Sequence, residues 1–217
     1  MSADPIRTAA DGGVVARAAL ERTIASGGVA LFPADGLYGL ACDPLNAEAI
    51  ARIYAIKGRD DGKPAAIMYF SPLAFRELLP SLGECTREVA AALLPGPLTL
   101  VVANPERRYP LACKEDPERL GIRLIDGPLQ GAICPILQTS ANRSGEPAIH
   151  RFGNIDAAIL GAVDLAIDGG ELSGEPSTVV DLTAIESGGE PLVLREGAVP
   201  GAEVCARIAT LSLSSRS

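Results

Sequence analysis

The sequence predicts an α/β domain in which one sheet is covered by helices on both faces. Three observations predict it. Apolar strand-like runs alternate with helical patterns along the whole 217-residue chain, which is typical of this class. The strand-like runs are continuously apolar, as strands buried on both faces are. The length fits one domain, and neither a linker nor an internal repeat divides the chain.

The N-terminal half contains three helix starts with recognisable caps. Asp11 can cap a helix that ends at Gly27-Gly28. Asn46 caps a second helix, which runs into Lys57-Gly58-Arg59. Ser71-Pro72 has the form of an N-cap followed by proline at the first helical position. The strands predicted between these helices are 29–32 and 65–70.

The C-terminal half continues the alternation. A helix over about 84–94 ends at Pro95-Gly96-Pro97, because proline cannot continue a helix. A short helix near 155–160 and a closing helix over 200–211 follow. The strands predicted in this half are 98–103, 120–125, 136–139, 165–167, 178–182 and 192–194.

The two ends of the chain are expected to lie outside the folded domain, which we place at 10–211. Residues 1–9 are expected to be flexible, and the Ser-rich tail 212–217 is expected to be disordered. The N-terminus lacks the apolar core of a signal peptide, and no apolar run approaches the length of a membrane span. A cytoplasmic location is therefore expected.

Composition narrows the choice of partners. The net charge is −8, so the chain does not have the character of a general nucleic-acid binder unless its basic residues gather on one face. The five cysteines are odd in number and form no C-x-x-C pair, which favours a reducing compartment without a disulfide framework. With His150 as the single histidine, no zinc site is expected. Small molecules or another protein are the favoured partners.

Two segments in the first third of the chain could carry chemistry. Residues 32–40 form a strand that ends in a Pro/Gly-rich turn, and loops that follow strands hold ligands in open α/β sheets. In Lys57-Gly58-Arg59, a point charge and a planar fork flank a glycine, which suits phosphate or carboxylate. Each segment also has a plain interpretation: a turn with a packed Tyr38, and a solvated basic loop.

Two further segments lie in the second half. In 139–145, a strand ends in hydroxyl, amide and glycine residues, which together can form an anion-binding concavity. The spacing is that of neither a Walker loop nor a dinucleotide fingerprint. The fourth segment comprises 174–181 and 194–197. Taken alone, its Ser177 could start a strand and its Arg195 could pair with a surface carboxylate.

In this order and spacing, the segments resemble the YrdC-like family of threonylcarbamoyl-AMP synthases. The resemblance covers about residues 10–205. The family pattern runs P-T-[DE]-T-x-Y-G-L, K-x-R-x-x-x-x-P, P-G-P-L-T, V-R, S-A-N-x-S-G, S-T-x-x-D and R-x-G. The corresponding residues here are 33–40, 57–64, 95–99, Ile122-Arg123, 140–145, 177–181 and 195–197. Seven ordered matches are specific, although each match alone is weak.

The resemblance implies a twisted mixed sheet flanked by helices, with a concave and positively lined ligand cavity. It implies an L-threonylcarbamoyladenylate synthase, a nucleotidyltransferase that condenses L-threonine, bicarbonate and ATP into threonylcarbamoyl-AMP and pyrophosphate. Mg²⁺ is expected to accompany ATP. Partner proteins of the tRNA threonylcarbamoyl-transfer machinery would then use the product. Direct tRNA binding is not expected at a net charge of −8.

The resemblance also assigns roles to individual residues. Lys57 and Arg59 would be catalytic and would hold the phosphates or the carbamate. The remaining ATP ligands would be Ser140, Asn142 and Arg195. The residues expected near L-threonine are Ala34, Tyr38, Arg123 and Ser177, with Arg123 facing the carboxylate. No metal ligand is implied.

Departures from the family pattern fall mostly at the amino-acid end. Threonine is usual where this chain has Ala34 and Gly36, some members carry histidine at Met68, and tryptophan is often found at Leu94. Unpaired polar groups in a site cost about 1–3 kcal/mol each, so ATP binding is the firmer expectation. Two alternatives stay open: a diverged paralogue with another amine or carbamoyl substrate, and a non-catalytic RNA- or ribosome-binding module.

Overall fold

A mixed β-sheet forms the centre of the protein. The computed structural model describes residues 4–58, 64–143 and 145–214, and within these ranges ten strands join one sheet. The strands are β1 Ile6–Arg7, β2 Ala30–Pro33, β3 Tyr38–Cys42, β4 Ala66–Tyr69, β5 Leu98–Ala103, β6 Arg119–Leu124, β7 Ile136–Ser140, β8 Leu165–Asp168, β9 Thr178–Asp181 and β10 Leu192–Arg195. Their order across the sheet is β1-β8-β2-β3-β7-β4-β6-β5-β9-β10.

Seven α-helices accompany the sheet in the described ranges. They are α1 Val14–Ala25, α2 Ala47–Lys57, α3 Pro72–Phe75, α4 Glu84–Leu93, α5 Pro110–Cys113, α6 Ala157–Ala162 and α7 Gly201–Ser214. The predicted caps at Asn46 and Ser71 are confirmed, because their side chains accept from the backbone N–H groups of Ala49 and Leu73 at 3.0 and 3.2 Å. None of these helices is both long and apolar enough to cross a membrane.

The sheet combines parallel and antiparallel neighbours. The parallel pairs are β1 with β8, β8 with β2, β4 with β6, and β5 with β9. Two strands were missed by the sequence interpretation. β3 pairs antiparallel with β2 directly after the turn at 34–37, where only a turn motif was expected. β1 lies within the segment expected to be flexible, yet its two residues pair with Ile167 and Asp168.

The two faces of the sheet differ in how they are covered. On the first face, Leu31, Leu40 and Leu137 belong to an apolar cluster that includes residues of α2, α4, α6 and α7. On the second face, Phe32 and Ile136 join a smaller cluster with residues of α1 and of the segment 125–132. The strands β5, β6 and β9 contribute to the first cluster, but on the second face they carry glycine, threonine, valine and charged side chains that belong to neither cluster. Part of the second face is therefore left uncovered, and a cavity opens on this part.

A long-range carboxylate caps the start of α4. Glu186 accepts hydrogen bonds from the backbone N–H and the hydroxyl of Thr86, both at 2.7 Å. Gly83 leaves room for this contact, because a Cβ there would lie 2.1 Å from Glu186 Cδ. Burial alone would raise the pKa of Glu186, but the hydrogen bonds from Thr86 and Cys85 and the charge of Arg87 together outweigh burial, and the pKa is lowered from its usual value.

We expect Glu186→Ala to lower the free energy of unfolding by about 0.5–2 kcal/mol at pH 7, the usual cost of losing a helix cap. The folded-state pKa lies below the unfolded value, so the stabilisation is present above the unfolded pKa of about 4.3 and is lost as pH falls through the folded pKa. Chemical denaturation of both proteins at pH 7 and pH 3 tests this. Glu186→Gln serves as the control that keeps an acceptor and removes the charge. A stability difference that persists undiminished at the lower pH would contradict the role of the charge.

Candidate functional site

A cavity of about 540 Å³ opens on the uncovered part of the second face. This volume lies within the range of small-molecule sites in proteins. The floor is made by residues of adjacent strands, and the walls by the turn after β2, the end of β7 and the segment before β9. The lining of the cavity includes Ala34, Asp35, Tyr38, Ala66, Thr99, Arg119, Gly121, Arg123, Gln138, Ser140, Ser177 and Arg195.

Small side chains keep the floor open. Ala66 and Gly121 are register neighbours of the strand pair β4 and β6, where Ile67 pairs with Ile122. A Cβ built on Gly121 would lie 3.5 Å from Ala66 Cα and 3.8 Å from Thr99 Cγ2, which is ordinary van der Waals contact. The cavity therefore depends on the size of the side chain at position 121 and not on a special backbone conformation there.

Arg123 lies at the cavity with protein acceptors on several sides. Its side chain is buried, with the whole residue 5% exposed. Its Nε donates to the carbonyl of Leu98 at 3.3 Å, its Nη1 to Gln138 Oε1 at 3.4 Å, and its Nη2 to Asp35 Oδ2 at 2.5 Å. The residue predicted to face a substrate carboxylate thus already faces the carboxylate of Asp35, and its assignment to threonine stays a prediction.

Ser177 and Arg195 meet at the other wall, although the resemblance assigned them to different ligands, L-threonine and ATP. Arg195 Nη2 donates to Ser177 Oγ at 3.0 Å and to the Ser177 carbonyl at 2.8 Å. Burial, and then the charge of Arg123, lower the pKa of Arg195, while Asp35 opposes this. An arginine stays charged in spite of such a shift. Two guanidinium groups therefore act on the same cavity, and an anionic ligand would relieve their repulsion.

Lys57 connects the end of α2 to the turn after β7. The residue is only 2% exposed. Its ammonium donates to the carbonyl of Ser140, to the carbonyl of Asn142 at 2.9 Å and to Ser140 Oγ at 3.3 Å. The structure thus brings together Lys57, Ser140 and Asn142, three of the five residues predicted to bind ATP. Of the other two, Arg195 lies at the Ser177 wall, and Arg59 lies outside the described residues.

Lys57 is not placed as a side chain that contacts phosphate directly would be. Ser140 lines the cavity, whereas Lys57 and Asn142 are not among the lining residues. The amide of Asn142 donates to the carbonyls of Arg143 and Glu146 at 3.1 and 2.6 Å, and its buried Oδ1 has no hydrogen-bond partner within the described ranges. Lys57 therefore holds the shape of the 140–142 turn, and Ser140 is the member of the turn that faces the cavity.

Tyr38 uses its hydroxyl to hold a neighbouring loop. The hydroxyl donates to the carbonyl of Gly170 at 2.8 Å and accepts from the N–H of Gly169 at 2.9 Å. Burial raises the pKa of this phenol to about 12, although the Gly169 hydrogen bond acts in the opposite direction. With both partners in the backbone, the Tyr38 hydroxyl supports the cavity wall, and its predicted contact with threonine would have to come from another part of the residue.

The departures at Ala34, Gly36 and Met68 have different structural settings. Ala34 is half-buried and lines the cavity. A Cβ on Gly36 would lie 2.0 Å from the carbonyl oxygen of Glu175, so the threonine of the family pattern cannot fit unless the segment 173–175 moves. Met68 is fully buried in the apolar cluster with Phe32 and does not line the cavity. Met68 therefore lies outside the cavity, and not at its threonine end, where the departures from the family pattern had placed it.

Several cavity residues were missed by the sequence interpretation. Arg119 forms ion pairs with Asp181 and, at 3.5 Å, with Asp116. Asp35 was quoted only as part of a turn, and Thr99 only as part of a motif. A signal for Arg119 was present, because strand alternation places Arg119, Gly121 and Arg123 on one face of β6. Among the described residues, no group of three or more His, Cys, Asp or Glu side chains could hold a metal ion.

Solved structures similar to this chain have the same fold, and several proteins of similar sequence carry the name threonylcarbamoyl-AMP synthase. A threonylcarbamoyl-AMP synthase of Chromohalobacter salexigens is 34% identical over 168 residues, which cover 74% of this chain and 89% of that protein. Escherichia coli YciO matches with a TM-score of 0.74 at 25% identity, over 88% of this chain and 93% of that chain.

A larger protein also matches. The structure of Pyrococcus abyssi Sua5 in complex with L-threonine has a TM-score of 0.76 at 28% identity. The match covers 94% of this chain but 60% of that chain, so this chain spans about three fifths of the archaeal protein. The predicted fold class, a mixed sheet flanked by helices, is confirmed by these structures.

The family comparison covers most of the sequence. The Sua5/YciO/YrdC family model, which carries the description telomere recombination, matches residues 22–197. This range includes every predicted site residue, from Ala34 to Arg195. The match extends over far more than half of the 217 residues, and the chain belongs to the Sua5/YciO/YrdC family.

Proposed function

We propose that this chain is an L-threonylcarbamoyladenylate synthase, which condenses L-threonine, bicarbonate and ATP and releases pyrophosphate. The observation that carries the proposal is the cavity between the 140–142 turn and the Ser177–Arg195 wall, with Arg123 at its floor. The synthase name of a relative at 34% identity supports it. So does the L-threonine bound to a structure of the same fold.

The charge distribution suits the proposed reaction. A threonine carbamate must attack the α-phosphate of ATP, so two anions have to meet. Fixed cations and N–H donors around the meeting point reduce the repulsion and stabilise the charge that develops on phosphate. Holding both reactants in one cavity supplies much of the remaining acceleration. Arg195, Arg123 and Arg119 provide three guanidinium groups around this cavity.

The proposed roles follow the two ends of the cavity. ATP phosphates would lie against the Ser140 turn, whose shape Lys57 holds, and near Arg195. L-Threonine would lie between Ala34 and Ser177, with the Asp35 carboxylate within reach of its amino group. Arg59 would add a cation to the phosphate end. These roles follow the residues predicted from the sequence, with one addition. The carboxylate of Asp35 was not predicted to take part.

Further participants are part of the same proposal. Mg²⁺ would arrive bound to the ATP phosphates. Bicarbonate would enter with the amino acid. The product would pass to protein partners that modify tRNA, in the cytoplasm.

A pyrophosphate-release assay with ATP, bicarbonate and each amino acid in turn tests the proposal. We expect turnover that requires bicarbonate and is fastest with L-threonine. Degassed, bicarbonate-free buffer is the control. Turnover without bicarbonate, or none with any amino acid, would refute the synthase. Preference for another amino acid would select the diverged-paralogue alternative.

A further inference from the structure

We propose that Thr99 and Ser177 act as one hydrogen-bond donor that recognises an oxygen anion of the substrate, with Thr99 as a positioning residue. The proposal rests on the proposed function only in taking the cavity as the substrate site. It adds a residue to that site and assigns a polarity to one wall: Ser177 Oγ accepts from Thr99 and Arg195 and donates its own hydrogen to the ligand.

The pair is built where two strands run side by side. Thr99 is in β5 and Ser177 directly precedes β9, and the two strands pair in parallel with Leu98 opposite Thr178. The two hydroxyl oxygens are 2.8 Å apart. Thr99 is 8% and Ser177 5% exposed, and both line the cavity. The hydroxyls are therefore shielded from bulk water but open to a bound ligand.

Arg195 determines how the hydrogens are arranged. A guanidinium can only donate, so Ser177 Oγ accepts from Arg195 Nη2 at 3.0 Å. Arg195 Nε and Nη2 also donate to the Ser177 carbonyl, at 3.2 and 2.8 Å, which fixes the guanidinium against this residue. Donation from a charged group polarises the hydroxyl and strengthens it as a donor in turn.

In the proposed arrangement, Thr99 donates the hydrogen that bridges the two hydroxyls, so Ser177 Oγ accepts from both Thr99 and Arg195. Both acceptor positions of that oxygen are then filled, and only its own hydrogen remains for a ligand. That hydrogen has no acceptor among the described protein groups. A buried donor without an acceptor is unfavourable. The cavity is where an acceptor can enter, so the pair presents one donor hydrogen to a ligand.

An oxygen anion is the ligand group that fits this wall. The Arg195 charge adds to the hydroxyl donor, so a carboxylate or a phosphate oxygen is favoured and an ammonium is repelled. In the proposed reaction, both chemistries are present, as the carboxylate of L-threonine and the phosphates of ATP. The experiment below separates these two sources.

Four variants test the pair: Thr99→Val, Thr99→Ser, Ser177→Ala and the double variant Thr99→Val/Ser177→Ala. Valine keeps the shape of threonine without its hydroxyl. Isothermal titration with L-threonine and with ATP, each alone, gives the affinities. For one of the two ligands, we expect Thr99→Val to bind about threefold to tenfold more weakly than wild type, as loss of one hydrogen bond implies. Thr99→Ser should recover most of this loss.

The double variant distinguishes a pair from two separate contacts. If Thr99 acts through Ser177, the double variant binds that ligand as weakly as Ser177→Ala and no weaker. Losses that multiply would overturn the proposal, as would unchanged affinity of Thr99→Val for both ligands. If the wild-type chain binds a ligand but releases no pyrophosphate, the proposed synthase activity is refuted. The titrations of the variants still test the hydroxyl pair of Thr99 and Ser177 in that case. A wild-type chain that binds neither ligand overturns both.

Discussion

Gly121→Leu is expected to reduce pyrophosphate release at least about 100-fold while the protein stays folded. The Cβ at position 121 would meet Ala66 and Thr99 at ordinary contact distances of 3.5–3.8 Å, so the backbone need not move. The rest of the leucine side chain would extend from the floor into the cavity of about 540 Å³. Displacement of a reactant by about 1 Å can cost about 100-fold in rate.

Gly121→Ala is the matched control for this prediction. It adds only the Cβ that the floor can accept, so it should keep most of the activity. We expect the free energy of unfolding of both variants to stay within about 1 kcal/mol of wild type, since neither opens a void nor buries a polar group. Denaturant titration and steady-state kinetics measure the two effects. Equal loss of activity in both variants, or none in the leucine variant, would show that the reaction does not use this cavity.

Lys57→Met is expected to lower activity at least about tenfold and the free energy of unfolding by about 1–3 kcal/mol. Methionine retains an unbranched apolar side chain, one atom shorter than lysine, and removes the donors to the carbonyls of Ser140 and Asn142. Buried acceptors without a partner cost about 1–3 kcal/mol. The 140–142 turn would relax, and Ser140 would no longer be fixed at the cavity wall. Denaturant titration and the pyrophosphate assay measure the two effects.

Lys114→Met provides the same chemical change at a lysine that does not line the cavity. The Lys114 ammonium lies 4.0 Å from the ring centre of Tyr54, a cation–π contact between a half-buried lysine and a buried ring that is worth about 1–2 kcal/mol. Its loss should lower stability and leave turnover unchanged. If Lys57→Met lost no more activity than Lys114→Met, Lys57 would be a purely structural residue. The comparison therefore separates the role of the 140–142 turn from a general effect of removing a lysine.

Much of the fold could be predicted because local patterns specify it. The run 98–103 is apolar and bounded by Pro97 and Asn104, and it is β5. Asn46 caps α2 as its residue type predicts. β1 escaped prediction because two residues carry no periodicity, and β3 because a glycine-containing motif suggested only a turn. In both cases, pairing with a partner strand decides the structure.

The site was predicted less completely, because its contacts join distant parts of the chain. The resemblance identified Lys57 and Ser140, which do meet. It could not reveal that Arg123 faces Asp35, since this pair depends on the order of strands across the sheet. Nor could it show that Tyr38 directs its hydroxyl to the backbone of Gly169 and Gly170. Sequence patterns indicate which side chains matter, while strand order decides what each one contacts.

Gly36 and the carbonyl of Glu175 lie so close together that the sequences of their two segments constrain each other. A threonine introduced at position 36 would meet a backbone oxygen at 2.0 Å, so it would be harmful on the present background. A shorter or displaced segment 173–175 alone would leave a gap beside the glycine. Each change would become tolerable only in the presence of the other, which is strong epistasis. Restoring the hydroxyl of the family pattern therefore calls for exchange of both segments together, and libraries that vary position 36 alone should return glycine.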